Sequence, residues 1–254
     1  MIILINLILI KSSIQLSSSK ILILSFSRPG ENYGVGIVEI GNTELISNYI
    51  QKITNGILHK IEPLNPYPEL LNETMKIVRE EQNLNLRPKI KNLLTDISNY
   101  EIIFLGFPIW YLHLPNIVIN QLEQLNFTNK TIYPFCTHGG SEYNISISDI
   151  EKYTKGAIIK NCFSKKGLYV RKSDNLAKND ILEWLNGINI KINNDNIIDN
   201  YINNASINEI NNNINCSDNQ INSDLGCNNN CGVWINSNIK YNFIYILLIG
   251  LFGI

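Results

Sequence analysis

Apolar segments of strand length alternate along residues 20–185 with segments whose apolar side chains recur at helical spacing. The first strand-like segment, "KILILSF" at residues 20–26, is a continuous apolar run of the kind buried on both faces of a sheet. Residues 41–55 follow with apolar side chains three and four positions apart, and Gly56 lies just beyond them. The pattern therefore begins as a buried strand followed by a helix.

The same alternation predicts further strands and helices. Strands are expected at residues 57–63, 101–110, 130–141 and, as an irregular pair or one extended strand, 157–170. Helices are expected at residues 69–83, 89–100, 114–125, 145–154 and 173–185, the first lying outside the simple alternation and the last capped by Ser173. Five strands alternating with helices predict an α/β fold, in which right-handed connections cover both faces of a parallel sheet.

In such sheets, ligands bind outside the carboxyl ends of the strands, where the strand order reverses. The loop after the first strand offers Ser27, Arg28 and Gly30, and then Asn42 and Thr43 at the start of a helix. Free N–H groups and the helix dipole favour a phosphate there. The segment contains neither a Walker sequence nor Gly-x-Gly-x-x-Gly, so ATP and a Rossmann-type NAD site are disfavoured.

Aromatic side chains follow the third predicted strand, in the segment "FPIWYLHLP". Exposure of Trp110 and Tyr111 at a strand's carboxyl end has little structural purpose, whereas a planar aromatic ligand would stack on them. The alternative is that Trp110 caps the core. We expect ligand stacking.

A glycine turn, "CTHGGSEY", follows the fourth predicted strand. Gly139 and Gly140 let backbone N–H groups approach a ligand closely, and Thr137 and Ser141 add hydroxyl groups. His138 is a candidate proton donor or a solvated loop residue. A phosphate pocket, an aromatic wall and a polar glycine turn together describe a site for flavin mononucleotide (FMN).

Several ordered motifs carry a resemblance to a known family. The segments "ILSFSRPGENYGVG…GNTELISNYI", "IEPLNPYPE", "REEQNLNLRP", "IFLGFPIWYLHLP" and "YPFCTHGGS" resemble the flavodoxin-like family of FMN proteins, in its branch with a longer first phosphate loop. The resemblance covers nearly all of residues 20–185. It implies a three-layer, doubly wound fold with a five-stranded parallel sheet in the order 2-1-3-4-5, and non-covalent FMN as the cofactor.

The resemblance also implies which residues bind the cofactor. Those matching the phosphate loop are Ser27, Arg28, Gly30, Asn42 and Thr43. Those matching the loop that flanks the flavin ring are Pro108, Ile109, Trp110 and Tyr111, and those matching the loop at its pyrimidine edge are Thr137, His138, Gly139, Gly140 and Ser141.

This chain departs from the family pattern at Pro29, Leu112 and Glu142. Pro29 removes a hydroxyl and an N–H donor, Leu112 replaces a usual glycine, and a carboxylate at Glu142 would oppose the charge of a reduced flavin. The phosphate loop is also interrupted by "ENYGVGIVEI", which we expect to be an excursion beside the flavin with Tyr33 near its tip.

Charge and length limit the functions that this site can serve. The 254 residues carry a formal net charge of −1 without a basic stripe, which argues against a nucleic-acid partner. The family implies electron transfer or oxidoreduction with a redox partner protein or a small acceptor. One alternative is an NAD(P)H-dependent FMN quinone reductase, with His138 or Tyr111 placing substrate and residues 64–88 as a lid. Another alternative is a surface module that binds without a cofactor. Carrier flavodoxins tend to be markedly acidic, so the near-neutral charge does not favour a carrier.

Both chain ends resemble processing signals. Residues 1–19 combine a short apolar run with small polar residues, which favours a signal peptide over an N-terminal strand or an uncleaved anchor. Residues 239–254 form an apolar tail shorter than the about 20 residues of a membrane span, and they fit a GPI signal or a tail anchor, with a buried segment as the alternative. We expect the secretory pathway or cell surface with membrane anchoring, and the cytoplasm is the alternative.

An asparagine-rich segment, residues 190–238, separates the tail from the predicted FMN-binding domain at residues 20–189, and its composition predicts a disordered linker. Cys216, Cys227 and Cys231 lie in it without a fourth metal ligand nearby, which favours a disulfide or free thiols over a metal site. With Cys136 and Cys162 the cysteine count is odd, and the pairing stays open.

Overall fold

A parallel sheet between two layers of helices forms the centre of the computed structural model, which describes residues 20–140, 144–172, 174–188 and 190. The predicted signal peptide, the tail and the linker apart from Ile190 lie outside the described residues, as do Ser141 and Ser173. Within the described part of the chain, no helix is long and apolar enough to cross a lipid bilayer.

The elements follow one another in this order: β1 Ile21–Ser25, β2 Gly30–Asn32, β3 Gly36–Val38, α1 Asn42–Thr54, β4 Ile57–Lys60, α2 Leu71–Asn83, β5 Ile102–Pro108, α3 Asn116–Leu122, β6 Thr131–His138, α4 Asn144–Tyr153, β7 Ile158–Ile159, β8 Phe163–Lys166, α5 Gly167–Lys172 and α6 Asp174–Gly187.

Five parallel positions make up the main sheet, in the order β4, β1, β5, β6 and then β7 with β8. The last position is split, because β7 pairs with the beginning of β6 and β8 pairs with its end. This is the order 2-1-3-4-5, so the predicted α/β fold and sheet order are confirmed. The order reverses between β1 and β5, whose carboxyl ends are the expected place for a ligand.

Two apolar clusters, one on each face of the sheet, explain why β1 is a continuous apolar run. Leu22 and Leu24 face the cluster covered by α2, α3 and α4, and Ile21 and Ile23 face the cluster covered by α1, α5 and α6. Burial on both faces is typical of parallel sheets covered by helices. Packing on both faces keeps the strands, and so the carboxyl edge of the sheet, in a fixed position.

The predicted helix at residues 89–100 is wrong. Here the backbone bonds sideways to other elements: Lys91 N–H donates to Glu62 O at 2.8 Å, and Leu94 N–H donates to the Gln121 side chain at 3.0 Å. Asn92 also donates to Lys60 O at 2.7 Å. The crossover between β4 and β5 is instead α2, the helix predicted to lie outside the alternation.

One further segment differs from the predicted pattern, and the predicted excursion in the first loop takes a regular form. The end of residues 157–170 was expected to be extended but forms helix α5, and Gly167 lies against the Asn42 side chain with no room for a Cβ. The insertion in the first loop is an antiparallel hairpin, β2 with β3, whose turn contains Tyr33 and Gly34.

Candidate functional site

The three predicted ligand loops are joined at the carboxyl edge of the sheet. Thr43 Oγ1, in the first turn of α1, lies 2.7 Å from Thr137 Oγ1 at the end of β6, and both side chains are buried. Ile109, which follows β5, donates its N–H to Thr137 O at 2.9 Å. Thr137 therefore holds the first and second loops to the third.

The N-terminus of α1 is capped by a side chain from the preceding loop and not by its own N-cap residue. Gly41 precedes the first turn and provides no side-chain cap, while Ser27 Oγ accepts the N–H of Glu44 at 3.1 Å. A Cβ at Gly41 would collide with Ser27 Oγ and would lie 2.6 Å from Arg28 O. Because the first four N–H groups of a helix have no partner within it, the remaining donors of this turn can bind an anion.

The Arg28 side chain donates its hydrogen bonds to backbone carbonyl oxygens. Its buried guanidinium donates to Pro29 O at 3.0 Å, Pro68 O at 2.9 Å and Glu69 O at 3.1 Å, and it also donates to Glu31 O. Burial lowers the pKa of Arg28, and the charge of Glu31 partly opposes that shift. These bonds anchor the β2–β3 hairpin, so a contact of Arg28 with phosphate stays a prediction.

Gly30 and Asn42 support the same hairpin. Gly30 has φ of +87° and a Cβ there would lie 2.7 Å from Glu69 O, so both conformation and space favour glycine. Asn42 is buried, accepts a hydrogen bond from Arg171 Nε at 2.8 Å and donates to Asn32 at 3.5 Å. Its side chain ties α1 to α5 and to the hairpin.

The second loop is a tight turn from Trp110 to His113. The Trp110 N–H donates to His113 O at 3.1 Å and the His113 N–H donates to Trp110 O at 3.0 Å. The central residues, Tyr111 with φ of 47° and Leu112 with φ of 71°, are both left-handed, as in a type I′ turn. Two such non-glycine residues in a row store backbone strain, which is commonly found at functional sites.

The expected exposure of Trp110 is wrong, because its side chain is only 7% exposed. Its ring packs edge-on against Phe26 at a centroid distance of 5.2 Å and against Tyr67 at 5.0 Å. This packing supports the alternative in which Trp110 caps the core. Tyr111 is 39% exposed, with the Arg79 guanidinium 5.0 Å from its ring centroid, and it is the aromatic side chain that this loop presents to solvent.

The third loop is open at Gly140 and covered at Gly139. A Cβ at Gly140, where φ is 144°, would meet no described atom within 4 Å, whereas one at Gly139 would lie 2.7 Å from the Tyr33 ring. The tip of the β2–β3 hairpin therefore contacts the third loop through the Tyr33 ring. His138 Nδ1 accepts the Gly140 N–H at 3.1 Å, and burial together with the charge of Lys166 lowers the pKa of His138.

A histidine and a carboxylate beside the second loop were missed from the sequence. His113 Nδ1 lies 3.0 Å from Asp149 Oδ2, which also accepts the Leu114 N–H at 3.2 Å. Asp149 belongs to α4, which is braced on the turn because Ser146 donates to Leu112 O at 3.0 Å. A lone histidine in the apolar segment "WYLHLP" was the available signal, but nothing in the sequence joins it to Asp149.

A cleft of about 540 Å³ lies beside the first loop, between the ends of β1 and β4. Its lining includes Ser27, Arg28 and Pro29 on one side and Lys60 and Tyr67 on the other, and it includes no residue of the second or third loop. The cleft is therefore on the far side of β1 from the point where the strand order reverses.

Comparison with known proteins shows the family of this chain. Residues 37–188, more than half of the chain, match the family model described as flavodoxin. The chain belongs to the flavodoxin family. A comparison with curated proteins found no match.

Solved structures are also similar to this chain. A candidate flavoprotein of Bacteroides eggerthii is 26% identical, with a TM-score of 0.51, and the match covers 68% of this chain and 99% of that one. A candidate flavoprotein of Bacteroides uniformis is 20% identical, also with a TM-score of 0.51, over 67% and 99% of the two chains. A flavoprotein of Lactobacillus acidophilus, solved in complex with FMN, is 19% identical with a TM-score of 0.46 over 61% and 97%.

Flavodoxin membership supports FMN as the cofactor, and the described residues fit its parts. The first turn of α1 has N–H donors for a phosphate, and among the described residues no atom would lie within 4 Å of a Cβ at Gly140 in the third loop. The strained turn at Tyr111 and Leu112 lies on the neighbouring strand end. The predicted contacts of individual residues with FMN stay predictions, and Ser141 lies outside the described residues.

Proposed function

We propose that this flavodoxin binds FMN non-covalently at the carboxyl edge of its sheet and works in electron transfer or oxidoreduction. The observation that carries the proposal is the contact between Thr43 and Thr137. It joins the helix start that suits a phosphate to the glycine turn that suits the edge of a flavin ring. An FMN site must bind the phosphate and the flavin ring at a fixed distance from each other, and this contact fixes the distance between the two loops.

In this proposal each loop has its own role. The first turn of α1, with Thr43, binds the phosphate, while Ser27 keeps that turn in place. The turn around Tyr111 and the glycines of the third loop flank the ring. When bound, FMN supplies the redox chemistry, and the chain positions it and sets the electrostatics around it.

A second candidate, an NAD(P)H-dependent FMN quinone reductase, is favoured by two observations. Tyr33 covers Gly139, so the hairpin limits the approach of a partner protein and suits a small substrate. His113 is held by Asp149 through Nδ1, which leaves its Nε2 as the nitrogen that could exchange a proton with an acceptor. An electron carrier needs neither feature.

The first experiment is to purify the full chain and record its absorbance, then to titrate the apoprotein with FMN and follow flavin fluorescence. We expect the flavin absorption bands and one FMN per chain. A colourless protein that does not bind added FMN would contradict the proposal and would favour the cofactor-free binding module.

A second experiment separates the two candidate functions. NADPH oxidation with a soluble quinone, in the absence of any other protein, is expected from the reductase. A carrier would bind FMN in the first experiment and yet show no turnover in the second one.

A further inference from the structure

A buried cysteine, Cys136, and a partly buried one, Cys162, lie in contact between β6 and the split fifth position of the sheet. Cys162 Sγ lies 3.7 Å from Cys136 Sγ, and both thiols are free. Cys136 is fully buried on β6, in the core cluster beneath α4, and the partly buried Cys162 packs against the same cluster. The sequence left the pairing of the five cysteines open, and this contact concerns two of them.

The backbone around Cys162 permits the sulfur atoms to approach. Cys162 lies between β7, which pairs with Thr131 and Ile132, and β8, which pairs with residues 135–138 of β6. It is therefore outside both ladders. A disulfide bond needs a sulfur separation of about 2.05 Å, so the sulfurs must move together by roughly 1.7 Å.

The surroundings favour Cys136 as the attacking thiol. Its Sγ lies 3.3 Å from Ser164 Oγ, and the Ser164 hydroxyl can donate to the thiolate form of Cys136. The hydrogen bond from Cys162, followed by the bond to Ser164, lowers the pKa of Cys136 against the opposing effect of burial, while the pKa of Cys162 is raised by its bond to Cys136 and by burial. The thiol with the lower pKa provides more thiolate, which is the reactive form.

We propose that Cys136 and Cys162 form a reversible disulfide bond that links β6 to the start of β8, with a low-molecular-weight disulfide as the oxidant. Cys162 reacts first because it is the more exposed of the two thiols: its Sγ attacks the small disulfide, whose S–S bond breaks, giving a mixed disulfide at Cys162 and one small thiol. The Cys136 thiolate then attacks Cys162 Sγ and displaces the second small thiol. Two S–H bonds are lost, one S–S bond forms, and both electrons and both protons pass to the two small thiols.

The bond would close a loop that contains a functional segment. Residues 137–161 lie between the two cysteines and carry the third ligand loop and α4, which includes Asp149. Oxidation would restrain this segment at both ends. Entry into the secretory pathway, which remains a proposal, would expose the pair to an oxidising compartment.

The test uses the full chain with the tail cysteines removed by Cys216→Ser, Cys227→Ser and Cys231→Ser. After incubation with oxidised glutathione and digestion without reductant, mass spectrometry is expected to find the peptides of Cys136 and Cys162 joined. The melting temperature is expected to be higher by about 5 °C or more than in the reduced protein.

Adding Cys162→Ser to that variant provides the matched control. It removes the partly buried partner and spares the fully buried one, and its melting temperature should not respond to oxidised glutathione. If both thiols of the parent variant can still be alkylated after oxidation and unfolding, or if Cys136 is found only in links between chains, the proposal is overturned. Neither result depends on whether the chain binds FMN.

Discussion

The hydroxyl oxygens of Thr43 and Thr137 lie 2.7 Å apart in the interior, although 94 residues separate them along the chain. One hydroxyl belongs to the first turn of α1 and the other to the last part of β6. A buried hydroxyl needs a partner, and each of these threonines provides one for the other. When Thr137 donates to Thr43, the Thr43 O–H can still donate to a phosphate. This bond fixes the spacing between the proposed phosphate site and the proposed ring site.

Thr137→Val should destabilise the fold, because it leaves the Thr43 hydroxyl buried without its partner. A loss of about 1 to 3 kcal/mol in the free energy of unfolding is expected, measured by urea denaturation. Thr43→Val in the same background should cost much less than it does alone. Equal costs in both backgrounds would show that the two hydroxyls do not interact energetically.

At residue 112, glycine should be more stable than alanine. Leu112 has φ of 71°, a conformation that costs a residue with a Cβ about 1 to 2 kcal/mol. The free energy of unfolding, measured by urea denaturation, is therefore expected to be about 1 kcal/mol higher for Leu112→Gly than for Leu112→Ala. At Ile77 in the interior of α2 the order should reverse. The same order at both sites would contradict the left-handed turn.

Removal of the Tyr33 ring should make the third loop more accessible. The ring is 71% exposed and yet lies against Gly139, so Tyr33→Ala opens the loop and removes little buried surface. We expect FMN to dissociate roughly threefold faster or more in stopped-flow fluorescence, with the free energy of unfolding nearly unchanged. Ile37→Ala, at another exposed site of the hairpin, should leave dissociation unaltered. If both variants behave alike, Tyr33 does not cover the cofactor.

Glu81 should make stability fall as pH rises. Burial raises the pKa of Glu81, although the hydrogen bond from the Tyr67 hydroxyl, 3.0 Å from Oε1, acts against the shift. A raised pKa means that the folded state holds the proton more tightly than the unfolded state does. The stabilisation is thus complete below the unfolded-state pKa and is lost as pH rises through the folded-state pKa. In urea titrations across this range, Glu81→Gln should flatten the decline and the exposed neighbour Glu80→Gln should not.

If the chain is a quinone reductase, the pair of His113 and Asp149 should affect turnover and not cofactor affinity. Asp149→Asn should lower kcat for quinone reduction by about 100-fold, because it no longer orients the His113 ring for proton transfer. The FMN dissociation constant should stay the same. Asp96→Asn, in an exposed turn, is the control. An unchanged kcat would remove His113 from the reaction and leave FMN binding untouched.

The sequence was sufficient for the sheet and for the grouping of the three loops. A continuous apolar run of strand length, such as residues 20–26, buries all of its side chains when it forms a strand covered on both faces. The parallel topology then brings the carboxyl ends of these strands together. The turn at Trp110 could not be predicted in detail. An aromatic side chain after a strand fits both a ligand wall and a core cap, and only the packing of Phe26 and Tyr67 decides between them.

The missed elements have a common physical cause. Residues 89–100 have apolar side chains at helical spacing, but Asn92 in this segment donates to Lys60 O and the Leu94 N–H donates to the Gln121 side chain. These long-range hydrogen bonds replace those of a helix. Likewise, α5 depends on the fit of Gly167 against Asn42, which local sequence does not encode. Long-range hydrogen bonds and close packing override local propensity in both places.

The affinity of FMN for the Thr43→Val variant tests the central claim most directly. The matched control is Thr54→Val in the same helix, where the buried hydroxyl bonds to Ile50 O, far along the chain from the loops. With fluorescence titration of the apoproteins, we expect the wild type and Thr54→Val to bind FMN equally. Thr43→Val should bind about 10-fold more weakly, the equivalent of one hydrogen bond to a charged group. An FMN affinity that is the same in all three proteins would contradict the assignment of the phosphate to the first turn of α1.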